Sequence, residues 1–392
     1  MDSRTRMALA MRQQIPDRVP VMCQLALGHY FLHTDIPPHK IWFTSEGFAE
    51  VLIALQQRYR FDGIVVNLPG RPPDLLAQVV SVEKTRQGER LTWDNGEVTV
   101  VPWDDNPHHR MADGAAPPRA DFATLDPDNL AGLDDLIGYT WGVYHVPRLA
   151  GKTRQGLLTQ VPPYFLRTID LIKGRVGDAV SVHGEVFSPF THFMELFDYE
   201  NALVHLLTGR EKAHALLDRL TEAATVWAVA QARRAVDAVV ISSSFAGGPF
   251  INRRMYREFV LPYERRVAEA IKAEGSIAYT HTCGSIGDRL DLLLETGTQG
   301  IDTLDPPPLG NTNLADAKKQ IGGRAFIKGN MNAVEMLTYK SKEEVIAHAS
   351  ERIRIGKQGG GYILSTACSV APKMEPWKLE LLVPLAEEMG KY

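Results

Sequence analysis

DAVVISSSFAGGPFINRRMYREFVLPYERRVAEAIKAEGSIAYTHTCG, residues 237–284, contains one complete repeat of the fold. DAVVISSS is a short apolar run of strand length. From Asn252, NRRMYREFVLPYERRVAEAIKAE spaces its apolar residues by three and four, the helical period. SIAYTHT is a second short apolar run. Strand, helix and strand with short connections form the unit of a parallel sheet covered by helices.

The same alternation continues downstream. GDRLDLLLET, LADAKKQIG and KEEVIAHASERIRIG read as helical patterns, GIDTLD, RAFIKGN and GYILSTA as strands, and a last helix starts near residue 374. Upstream, RVPVMCQLAL is the expected first strand, EGFAEVLIALQQRYR a helix and FDGIVVN the second strand. The pattern then changes. Residues 79–103 alternate with period two around Asp94-Asn95-Gly96, a hairpin signal, and residues 104–127 are loop-like, rich in Pro, Asp and His. Residues 77–127 are therefore expected to be an antiparallel β-hairpin and loop insertion after the second strand. Alternation resumes at GLLTQVPPYFLRTIDLI (156–172) and DAVSVHGEV (178–186), with two helical stretches over 190–234. About eight strands predict a closed (β/α)8 TIM barrel, with residues 1–392 as a single domain. GGG at 359–361 precedes a strand, the wrong order for a dinucleotide-binding turn.

Composition narrows the function classes. The chain of 392 residues is 44% hydrophobic and 23% charged, with net charge −4 and three cysteines. No basic run or aromatic-basic stripe points to nucleic acid or an anionic membrane. No apolar stretch reaches the ~18 residues of a spanning helix. The start has no apolar core of a signal peptide, and three cysteines make no disulfide framework, so a reducing cytoplasm is expected.

In a barrel the strand ends converge on one mouth. SIAYTHTC puts His281 and Cys283 at one strand end on one face, and GYILSTAC puts Cys368 at the end of the last strand. One imidazole and two thiolates make a three-ligand zinc site with an open fourth position, and soft sulfur favours zinc over magnesium or calcium. The competing readings are buried cysteines as small hydrophobes, which is the reading of Cys23, and a Cys-His nucleophile. His183 and Glu185 share one face at another strand end, as an acid-base pair or as a satisfied hydrogen-bond pair. Ser242 and Ser244 read as rim or turn residues, Tyr279 as a pocket wall, and His108 and His109 as solvated loop residues. Trp93 and Trp103 of the insertion are read as shaping the entrance.

PDRVPV (16–21), FINRRMYREFVLPYERRV (250–267), HTCG (281–284), IKGN (327–330) and GGGYILSTAC (359–368) together resemble the uroporphyrinogen decarboxylase superfamily. The resemblance is to its zinc-dependent, corrinoid-linked methyltransferase branch. It implies zinc on His281, Cys283 and Cys368, with Asp302 or Asp305 able to cap the metal and Asn330 as a substrate hydrogen-bonder. It also implies methyl transfer between a small O-methyl ether, methylamine or thiol-type substrate and a corrinoid cobalt. The chain has no D-x-H-x-x-G cobalt-ligand motif, so the corrinoid is expected on a separate partner protein. Decarboxylases of the superfamily carry an arginine-rich segment where this chain has CQLALGHYF (23–31), and SVAPKMEPW after Cys368 also departs from the family pattern. The alternatives are a uroporphyrinogen decarboxylase-type enzyme, a zinc-dependent hydrolase, or a barrel reduced to a binding scaffold.

Overall fold

The structure, a computed structural model, describes residues 1–117, 119–128, 130 and 161–392. Residues 156–160 of the expected resumption of alternation lie outside the described residues. The described strands are β1 (Gly63–Val66), β2 (Val79–Lys84), β3 (Gly88–Trp93), β4 (Val98–Pro102), β5 (His108–Arg110), β6 (Ser181–Phe187), β7 (Ala238–Ser242), β8 (Ile277–Thr282), β9 (Gly300–Thr303), β10 (Phe326–Met331) and β11 (Tyr362–Thr366). Seven of them form one parallel sheet in the order β1-β6-β7-β8-β9-β10-β11. Every residue of β7 and β8 is buried, as expected of parallel strands covered on both faces.

The inward face is layered. Met22, Val65, Ala238, Val240, Ile277, Tyr279, Phe326 and Ile363 cluster with Met7, Ala10 and Met11 of the first helix, Ser3–Met11. Ala238, Ile277 and Phe326 begin their strands, so this helix plugs the amino-terminal end of the sheet. Charge fixes it there: Arg6 and Arg18 donate to the fully buried Asp62 at 2.7 and 2.8 Å. The opposite end, where the strands finish, is left to polar side chains.

The expected first strand is corrected. Residues 19–25 make only isolated bridges, Val21 with Leu364 and Leu25 with Val370, so among the described residues the ladder holds seven strands rather than eight. Pro20 has no N–H to donate, which interrupts a regular ladder. The segment still bonds on both flanks: Met22 N–H donates to Leu364 O at 3.0 Å, and Asp62 N–H donates to Val21 O at 2.8 Å.

The antiparallel excursion is a four-stranded sheet, β2-β3-β4-β5, rather than a single hairpin. Gly96 takes φ +86 in its turn, which asparagine-glycine signals anticipate. Two expectations fail here. Trp93 is not at an entrance: it packs edge-on against Phe43 and donates to Thr99 in the core of the small sheet. His109 is not a solvated loop residue: β5 buries it, with Thr99 at 2.8 Å and Glu97 at 3.1 Å. Residues 190–234 hold three helices, Pro189–Phe197, Tyr199–Thr208 and Arg210–Ala232, because Asp198 at φ +63 breaks the first stretch. The 252–274 pattern likewise divides into Arg253–Phe259 and Leu261–Ala273, with Pro262 in the first turn of the second helix.

Candidate metal centre

Side-chain direction at the strand ends follows from close packing. A Cβ on Gly184 would lie 2.2 Å from Gln231 Oε1 of the outer helix, so residue 184 faces outward and His183 and Glu185 face in. Tyr279 lies in the inward cluster, and period two turns His281 the same way. β8 and β9 pair His281 with Asp302, and β9 and β10 pair Asp302 with Lys328. Three neighbouring strands thus place an imidazole, a carboxylate and an ammonium side by side.

The curl of the parallel sheet brings Cys368, which follows β11, to Cys283, which follows β8. Their sulfurs are 3.7 Å apart, Cys283 Sγ is 3.5 Å from His281 Nε2, and all three donor atoms lie within 4.8 Å of one another. A tetrahedral zinc with sulfurs at ~2.3 Å and nitrogen at ~2.0–2.1 Å would separate sulfur from sulfur by about 3.8 Å and nitrogen from sulfur by about 3.5 Å. The donor set fits such an ion in chemistry and in spacing. Among the described residues it is the one group of His, Cys, Asp and Glu so arranged.

The surroundings hold the donors in place. Asp302 Oδ2 is 3.0 Å from His281 Nδ1, which turns Nε2 toward the sulfurs. Lys328 Nζ donates to both Asp302 oxygens at 2.9 Å. Burial opposes ionisation of Asp302, but Lys328 and His281 outweigh it and hold the carboxyl at about 2. Burial likewise opposes charge on His281, yet Asp302 and Cys368 push it up to about 10. Between the cysteines, hydrogen bonding lowers the Cys368 thiol and raises that of Cys283, as expected where one thiol donates its proton to a neighbouring sulfur. A bound metal takes the place of such protons.

Asp305 Oδ2 accepts from Gly284 N–H at 2.7 Å and fixes the turn after Cys283. The Cys368 loop is tied down by the segment that lacks arginines. His29 Nδ1 lies 3.2 Å from Ala371 O, His33 Nε2 lies 3.0 Å from Pro372 O, and Val370 exchanges backbone bonds with Gln24 and Ala26.

The other sequence-derived candidates divide. Glu185 accepts from the Ser242 hydroxyl, and burial raises its carboxyl to about 7 against that bond. His183 does not join them. Its ring meets Tyr279 Oη and Ser181 Oγ, each at 3.1 Å, one layer deeper, and burial presses it down to about 4. Tyr279 is fully buried beside Phe326 in that layer. Asn330 Nδ2 donates to Leu304 O at 2.9 Å, while its Oδ1 is buried without a hydrogen-bond partner.

Two inward polar residues escaped the sequence reading. One is Lys328. The other is Asn67, which follows β1 on the face of Val65 and buries an unpartnered Oδ1. A polar residue closing an apolar run at the same strand end as the H-x-C pair was the available signal for both.

Comparison with known proteins agrees with this picture. The family model for uroporphyrinogen decarboxylase (URO-D) matches residues 152–389. A methylcobamide:CoM methyltransferase (MtaA) of Methanosarcina barkeri is 24% identical over 226 residues, 58% of this chain and 63% of that protein. A uroporphyrinogen decarboxylase of Chlorobaculum parvum is 28% identical over 245 residues, 58% of this chain and 66% of that protein. The match spans less than two thirds of either relative. A solved methyltransferase from Methanosarcina mazei superposes over 99% of both chains with TM-score 0.69 at 18% identity, a likeness of fold. The family match covers more than half of the sequence, including the strands that bring His281, Cys283 and Cys368 together, and the chain belongs to the uroporphyrinogen decarboxylase family.

Proposed function

We propose that the chain is a zinc-dependent methyltransferase working between a small substrate and the cobalt of a corrinoid carried by a separate protein. The substrate would be of O-methyl ether, methylamine or thiol type. The observation that carries this reading is the convergence of the three donor atoms within 4.8 Å of one another, with the two separations at Cys283 those of tetrahedral zinc. Methyltransferases among the relatives support it. The absence of arginine from residues 23–31, where His29 instead helps to hold the Cys368 loop, speaks against a decarboxylase gripping several carboxylates.

Bound zinc supplies Lewis acidity toward the substrate heteroatom. The chain's own residues set the stage for it. His281 is held in one tautomer by Asp302, Asp302 is held ionised by Lys328, and Asp305 shapes the turn behind Cys283. Glu185, Ser242 and Asn330 offer polar contacts to the substrate, while Tyr279 and His183 support the floor beneath them. We take residues 19–25, bonded on both flanks, as the eighth stave that closes the barrel. The cytoplasmic assignment is supported by three free cysteines, and no described helix is long and apolar enough to cross a membrane.

The test is to incubate the zinc-loaded protein with methyl ethers, methylamines and methyl thioethers plus cob(I)alamin, and to follow the corrinoid spectrum. Formation of methylcobalamin supports the proposal. Conversion of uroporphyrinogen without any methyl exchange would favour the decarboxylase instead.

A further inference from the structure

The two carboxyl oxygens of Glu185 have different surroundings. Oε1 accepts from Ser242 Oγ, whereas Oε2 is buried without a hydrogen-bond partner. An unmatched buried carboxyl oxygen is costly, yet the fold holds this one firmly in place. Gln231 grips the backbone on both sides, accepting from Glu185 N–H at 3.0 Å and donating to Glu185 O at 2.8 Å. Ser242 is the register partner of His281 across β7 and β8, so the Glu185–Ser242 pair stands one strand from a metal ligand on the inward face. The groups facing Glu185 are His281 and Tyr279 of β8, Asp302 of β9, Lys328 of β10 and Tyr30 of the helix Leu27–Leu32. Asp302 and Lys328 bond each other at 2.9 Å and His281 is committed to Asp302, so these groups do not draw on the free oxygen. Burial sets the carboxyl at about 7, where it exchanges a proton near neutral pH.

Building on the metal reading above, we propose that Glu185 is a catalytic residue carrying the proton of a thiol or hydroxyl substrate group, with Ser242 as its positioning residue. When a thiol enters, its S–H bond breaks, the electron pair stays on sulfur as thiolate, and the proton moves to Glu185 Oε2. In the opposite direction a reduced corrinoid takes the methyl group from an ether or thioether. The carbon–heteroatom electron pair stays on the heteroatom, which receives the proton from Glu185. The substrate class follows: its methylated and free forms differ by CH3 against H. Quaternary ammonium and sulfonium donors, whose demethylated products take up no proton, have no use for Glu185.

The experiment counts protons. Zinc-loaded wild type and Glu185→Gln are titrated calorimetrically with 2-mercaptoethanol at pH 8, where Glu185 is ionised, in two buffers of different ionisation enthalpy. The bound thiolate adds a negative charge beside the buried carboxyl and raises its hold on the transferred proton, so the wild type should release clearly fewer protons than the variant, which should release about one per thiol bound. Equal release with equal binding would overturn the role of Glu185 and leave the metal reading standing. Failure of the thiol to bind wild type would overturn both. Infrared spectroscopy of the wild type guards against a misfolded variant: a protonated-carboxyl band should grow as thiol is added, and its absence would refute the proposal.

Discussion

Replacing Asp302 with asparagine probes the contact behind the proposed metal ligands. The carboxylate is 2% exposed and Lys328 1% exposed, so the variant leaves a buried ammonium facing a neutral amide. Two magnitudes bear on the outcome. Holding the carboxyl at about 2 against an ordinary 3.8 corresponds to roughly 2 kcal/mol of stability. That stability is present above the ordinary value near 4 and is lost as pH falls through about 2. Removing one member of a buried ion pair costs about 3–5 kcal/mol, because the remaining charge is uncompensated. The second effect dominates at neutral pH, and metal-free Asp302→Asn should lose that amount in urea denaturation. Zinc affinity, read by competition with a chelator, should fall about 10–100-fold as His281 loses its orienting partner. The double variant Asp302→Asn/Lys328→Met separates the two effects. It should regain most of the stability but none of the zinc affinity. A single variant with wild-type zinc affinity would refute the orienting role of Asp302. A double variant as unstable as the single one would refute the charge argument.

Three further outcomes are expected. Cys368→Ser should lose zinc by metal analysis while its circular dichroism stays that of wild type, since a core this size does not depend on a metal as a small finger does; equal zinc content would remove Cys368 from the ligand set. Gly184→Ala must displace Gln231, whose Oε1 would lie 2.2 Å from the new methyl group, and should cost about 1–3 kcal/mol. An unchanged urea midpoint would mean that residue 184 does not face the outer helix. Burial, aided by His33, holds His29 at about 3 against 6.5 unfolded, so the unfolded chain binds the extra proton. Its contribution is complete above pH 6.5 and is lost by up to ~1.4 kcal/mol per unit as pH falls toward 3. His29→Asn should make the acid limb of stability against pH shallower, and identical limbs would show that His29 is not buried neutral.

Much of the site was legible because its signals are local. An apolar run ending in His281-Thr282-Cys283 states both the strand and which side chains share a face, and GYILSTAC does the same for Cys368. The parallel sheet followed from repeated strand and helix units, each readable within about thirty residues. Where the reading erred, a nearby residue had changed the local outcome. Pro20 kept 19–25 out of the ladder, and Asp198 at φ +63 divided a helix expected to run on. Trp93 gave the wrong impression because an aromatic residue on an alternating strand names two faces without saying which is covered.

Sequence alone determined the α/β class and singled out the strand ends and the three residues, His281, Cys283 and Cys368, that converge in the structure, since period and residue type are properties of neighbours along the chain. Tertiary structure alone decided what those residues meet. The sulfurs of Cys283 and Cys368 are 85 positions apart in the chain and 3.7 Å apart in space, Ser242 reaches Glu185 across 57 positions, and Lys328 reaches Asp302 across 26. Such distances depend on sheet curvature and on register between parallel strands. Those are set by the packing of the whole core, in which no short stretch of sequence has a controlling share.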